Sequence, residues 1–101
     1  MAHGIQPGDI RYIINTLAKF PEVEKASIFG SRALGNFKKG SDIDLALHGD
    51  KVNFTTIAHV KDLLQEDSPM PYLFDVVDYT HCQSEELKNH IDQFGQTIYT
   101  K

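Results

Sequence analysis

The chain has 101 residues, 41% of them hydrophobic and 24% charged, with a net charge of −4; that length suits one domain with its own core, residues 1–101. The acidic balance offers no basic stripe for a long polyanion, so nucleic acid is not the expected partner. No apolar run approaches the roughly 20 residues of a membrane span, the N-terminus lacks the layout of a secretory signal, and the single Cys82 excludes an internal disulfide, so the cytoplasm is the expected compartment.

Pro7-Gly8-Asp9 is turn chemistry, with Asp9 placed to cap a helix over residues 9 to about 20 whose apolar side is Ile10, Ile13, Ile14 and Leu17. Phe20-Pro21 ends it, because the residue before a proline is pushed out of helical geometry. Ala26-Ser27-Ile28-Phe29 reads as a buried strand closed by Gly30. Residues 31–41 are loop-like, opening on a short helical turn. Asp42 to Leu47 alternates and then turns apolar, a central strand ending at His48-Gly49. A second helix over about 53–66 presents Phe54, Ile57, Ala58 and Leu64, and Tyr72 to Tyr79 is a third strand rich in β-formers. Ser84, followed by Glu85 and Glu86, caps a last helix with its apolar side at Leu87, Ile91, Phe94 and Ile98 and with Gly95 inside it. The expected class is α/β (α+β): a small mixed sheet flanked by helices.

Chemistry concentrates at Gly30-Ser31 and, after ten intervening residues, Asp42-Ile43-Asp44. A glycine where a strand ends lets the backbone approach a phosphate, and Ser31 adds an N–H and a hydroxyl at the start of a helical turn. Arg32 can bring positive charge beside a triphosphate, as can Lys38 and Lys39, although those two lysines read more readily as a solvated loop. Asp42 and Asp44 stand at i and i+2 on a strand, so both carboxylates leave the same face, about 7 Å apart along the backbone. That arrangement suits Mg²⁺, a hard cation that shares its shell with substrate phosphates. A two-metal site needs a third carboxylate, and Asp75 in the next strand supplies it if the two strands are neighbours.

The run GSRALGNFKKGSDIDLAL, Gly30 to Leu47, together with FDVVDY, Phe74 to Tyr79, resembles the DNA polymerase β-like nucleotidyltransferase superfamily, and within it the minimal nucleotidyltransferase group of small prokaryotic proteins. The resemblance covers essentially the whole chain. It implies that fold, with Ser31 on the terminal phosphates of ATP, Asp42 and Asp44 on two Mg²⁺ ions, and Asp75 on the catalytic ion beside the attacking hydroxyl. Gly30 and Arg32 complete the nucleotide-binding set. Leu34 stands where many relatives carry a basic residue, a place that Arg32, Lys38 and Lys39 can fill electrostatically. Asp78 falls on the other strand face and is set aside.

The resemblance further implies transfer of AMP from ATP to an acceptor hydroxyl. The acceptor it suggests is a neighbouring all-helical HEPN (higher eukaryotes and prokaryotes nucleotide-binding) protein, as in toxin–antitoxin pairs. Two other readings stand beside it: a non-catalytic module of the same fold that sequesters the helical partner, and a small-molecule nucleotidyltransferase of the aminoglycoside kind. The last lacks an acceptor pocket in a chain this short and needs a partner or a homo-oligomer. Taken alone, Asp42 and Asp44 also read as a solvated strand entrance with Ser41 as turn chemistry; Gly30-Ser31 and Asp75 weigh against that. His3, His48, His59, His81 and His90 show no metal-ligand spacing and make no zinc pattern with Cys82. The stripe along the last helix reads as core, with part of its surface, or helix one, available to a partner.

Overall fold

The computed structural model describes residues 5–30, 42–66 and 72–101. Their elements are α1 (Pro7–Leu17), β1 (Lys25–Phe29), β2 (Ile43–His48), α2 (Phe54–Gln65), β3 (Phe74–Asp78), α3 (Glu85–Phe94) and β4 (Gln96–Thr100). The strands form one four-stranded sheet in the order β3-β2-β1-β4. Strands β2 and β1 are antiparallel, as are β1 and β4, whereas β2 and β3 run parallel with α2 as the crossover between them. This is the expected mixed α+β sheet with flanking helices, extended by one strand.

Strand β4 corrects the reading of the last helix. The spacing Leu87, Ile91, Phe94, Ile98 continues a helical period, yet α3 stops at Phe94 and Gly95 turns to extended backbone at φ −62°, ψ 138°. The Gly95 N–H closes the helix on the Ile91 carbonyl, 2.8 Å away. A Cβ at Gly95 would lie 2.5 Å from that same oxygen, so the close exit from the helix requires glycine. Gln-Thr-Ile-Tyr-Thr then follows β preference and pairs along β1, with an irregularity between Ala26 and Ser27.

Smaller differences have equally local causes. Helix α1 begins at Pro7, where a missing N–H costs nothing, and Asp9 lies in its first turn rather than at its cap. In α2 the buried residues are Thr56, Val60 and Leu64, while Phe54 is 86% exposed. Thr56 belongs inside because it completes a capping box with Asn53, and its hydroxyl donates to Glu22 at 2.9 Å. Ser84 caps α3 as expected, accepting from the Leu87 N–H at 3.2 Å.

The main core lies between α1, α2 and one face of the sheet. Ile13, Leu17, Val60 and Leu64 pack there with Ala26, Ile28, Ile43, Leu45, Leu47, Phe74 and Val76. On the opposite face a smaller cluster, Phe29, Ala46 and Ile91 with Val77, Tyr79 and Leu87 against it, seats α3. Gln65 links the end of α2 to the start of β3, donating to the Tyr72 carbonyl at 3.1 Å and accepting from the Phe74 N–H at 2.9 Å. That fixes the approach to Asp75. Among the described residues, no helix is long and apolar enough to cross a membrane.

Candidate functional site

Three adjacent strands contribute one residue each to a single row. Phe29 on β1 pairs with Asp44 on β2, and Asp44 pairs with Asp75 on β3. Strand alternation explains why a carboxylate sits inside an apolar segment. Ile43, Leu45 and Leu47 are fully buried toward α1 and α2, so Asp44 turns to the α3 face together with Ala46. Asp75 is likewise flanked by buried Phe74 and Val76 and is itself exposed. Asp42 is also exposed, and it precedes β2 rather than forming part of it.

Electrostatics tie these carboxylates together. Burial holds the Asp44 carboxyl above its ordinary value, and the charges of Asp75 and then Asp42 push it the same way. Negative charge is thus concentrated at a partly desolvated point, where a bound cation would relieve both the burial and the repulsion. Carboxylate oxygens are the donors that Mg²⁺ takes, so the chemistry of the set fits that ion. Among the described residues no three His, Cys, Asp or Glu side chains already stand together at ligand spacing.

Gly30 is held from two sides. Its φ of +72° is one that L side chains rarely adopt, and a Cβ there would collide with the Asp44 carboxylate. The clearance expected for a phosphate is therefore filled by Asp44. The Gly30 N–H is also committed: it donates to His90 Nε2 at 3.0 Å. His90 comes from α3 and stands edge-on to Phe29 at 6.0 Å between ring centroids. Its spacing supports no metal motif, and its place here was not read from the sequence. The available signal was a histidine set among Leu87, Ile91 and Phe94, on the side of α3 that meets the sheet.

A groove of about 340 Å³ opens beside this cluster, lined by Phe29, Gly30, Ser84, Glu86, Leu87 and His90. A larger cavity of about 530 Å³ lies at the other end of the strands, among Glu22, Glu24, Asp50 and Lys101, and its lining includes none of the described site residues Gly30, Asp42, Asp44 and Asp75. His48, at that far end of β2, stacks on Tyr79 at 4.2 Å. Burial and the Lys25 charge hold its imidazole below the ordinary histidine value, against the pull of Asp92. Ser31, Arg32, Leu34, Lys38 and Lys39 lie outside the described residues.

Residues 11–101 match the family described as polymerase beta, nucleotidyltransferase. No curated protein sequence matches the chain. Among solved structures, the toxin–antitoxin MntA–HepT aligns at a TM-score of 0.73 with 19% identity, over 95% of this chain and 74% of that one. A toxin–antitoxin structure with AMP-PNP gives 0.74 and 18%, over 96% and 75%. The structure of tri-AMPylated Shewanella oneidensis HEPN toxin in complex with MNT antitoxin gives 0.73 and 19%, over 96% and 74%. At these identities the likeness is one of fold.

Proposed function

Because the chain belongs to the polymerase beta nucleotidyltransferase family, we propose that it transfers AMP from ATP to an acceptor hydroxyl on a HEPN-type helical protein. The observation that carries this reading is the row Asp44–Asp75, two carboxylates in register on neighbouring parallel strands. The nucleotide draws support from a structure of the same fold with AMP-PNP. The acceptor draws support from a structure in which a HEPN toxin is tri-AMPylated in complex with an MNT antitoxin.

Asp42, Asp44 and Asp75 would hold two Mg²⁺ ions, which supply positive charge to the phosphate oxygens and acidify the acceptor hydroxyl. Gly30 leaves room for the Asp44 carboxylate. Ser31 and Arg32 bind the triphosphate by charge-assisted hydrogen bonds. Asp75 stands at the exposed end of the row and orients the hydroxyl. The acceptor hydroxyl gives up its proton to water, and its oxygen forms a bond to the α-phosphorus as the bond to the departing pyrophosphate breaks. Such catalysis is mostly positioning and electrostatic stabilisation.

The test is to mix the protein, labelled ATP, Mg²⁺ and the helical protein encoded beside it, and to weigh that partner. Wild type is expected to add one or more AMP units. Asp75→Asn is expected to bind the partner and lose transfer by several orders of magnitude. Equal neutralisation by both, with no mass gain in either, would replace the enzyme by a sequestering module.

A further inference from the structure

We infer that His90 is a positioning residue of the transfer site: its Nε2 takes the Gly30 backbone N–H and thereby fixes where the Asp44 carboxylate stands. This rests on the reading of Asp44 as a site carboxylate.

The β1–β2 ladder reaches Phe29 and Asp44, and Gly30 turns away from it. Its N–H is partly buried and needs an acceptor. The acceptor comes from a residue 60 positions away, His90, at 3.0 Å. An Nε2 that accepts carries no proton, so the ring is the neutral form with its proton on Nδ1. The imidazole is steadied from two sides, edge-on to Phe29 with an interplanar angle of 75° and tilted against Phe94 with centroids 5.4 Å apart. Ile91, the next residue, is 3% exposed and anchors this turn of α3 to the sheet.

On its other side the Gly30 backbone lies against the Asp44 carboxylate, so closely that a single added carbon would collide with it. Imidazole and carboxylate thus meet the same glycine, through which a displacement of the first would reach the second. Supporting groups of this kind decide whether a site is held to its working geometry. The same arrangement removes the Gly30 N–H from the donors open to a phosphate, so the triphosphate contacts begin after Gly30.

Two substitutions separate acceptor from shape. His90→Phe keeps a ring between Phe29 and Phe94 but has no acceptor; His90→Gln offers a carbonyl oxygen in its place. With the full chain, the dissociation constant of Mn²⁺–AMP-PNP, kcat and KM for transfer, the melting temperature and the ¹⁵N–¹H resonance of Gly30 are measured. His90→Phe is expected to weaken Mn²⁺–AMP-PNP binding and lower kcat, each roughly 10–100-fold, with a near-native melting temperature and a displaced Gly30 resonance. His90→Gln is expected to recover most of each. Wild-type behaviour of His90→Phe, or equal damage in both variants with an unmoved Gly30 resonance, would overturn the assignment. So would imidazole nitrogen shifts placing the wild-type proton on Nε2, whatever the variants do. If wild type binds no Mn²⁺–AMP-PNP, the transferase reading fails by itself. The Gly30 resonance then decides the His90 bond alone: displaced by His90→Phe and restored by His90→Gln, or absent.

Discussion

One face of the sheet, under α1 and α2, holds Ile28, Ile43, Leu45 and Leu47 with no exposure at all. The other face, under α3, holds Phe29 and Ala46 beside Asp44 and Asp75, with His90 reaching in from the helix. The two faces share the same strands, so consecutive residues of β2 serve opposite ends. Ile43 and Leu45 are chosen for burial, and Asp44 between them carries charge into a place that resists it. Stability and chemistry are thus separated by alternation along a strand, with no need for separate segments of chain.

The separation is broken most severely from the apolar face. Leu45→Ala is expected to cost roughly 2–5 kcal/mol, because the fully enclosed site can collapse little around the lost carbons; the midpoint of urea unfolding measures it. A smaller loss, roughly 1–3 kcal/mol, is expected of Gly30→Ala, which combines an unfavourable φ with a collision at the Asp44 carboxylate. In that variant Mg²⁺–nucleotide binding should fall together with the melting temperature. Retained binding would show that Asp44 has room to move.

The smallest effect has the opposite sign. A carboxyl whose folded value is raised contributes stability in acid and loses it as pH climbs through that value. Asp44→Asn should therefore raise the ligand-free melting temperature at pH 7 by a few degrees at most, and the gain should vanish as pH falls below the ordinary carboxylate range. The stabilisation by Mg²⁺–nucleotide expected of wild type should be lost. A variant less stable than wild type at neutral pH would mean that Asp44 is a structural acceptor rather than a strained one.

Most of the frame was legible because it is written locally. The alternation of Asp42 to Leu47 announced β2, Ser84 announced the start of α3, and β-formers announced β3. The in-register pairing of Asp44 with Asp75 needed the strands to be neighbours, a condition the sequence left open and the sheet meets. Strand β4 was hidden because Ile98 falls, by coincidence of spacing, in phase with Leu87, Ile91 and Phe94. What decides its conformation is the Gly95 exit and pairing with distant β1, and neither has a local period. Phe54 misled by hydrophobicity alone, since the capping hydroxyl of Thr56 had the stronger claim on the interior. His90 was illegible for a similar reason. Its partner is a backbone amide 60 residues away, and only folding brings the two together.

The position of β1 bears on how the molecule assembles. This strand lies between β2 and β4, and its pairing with β4 joins Lys25 to Thr100. Closing so long a loop must precede any reward from the contacts it makes, which slows the search for the native state. The His90–Gly30 bond spans the same closure. A chain that has formed its βαβ half, with Asp44 and Asp75 already adjacent, would still lack the imidazole that steadies the turn beside them. Competence at the site should therefore appear in the final cooperative step of folding, together with α3 and β4, and not gradually as the sheet grows.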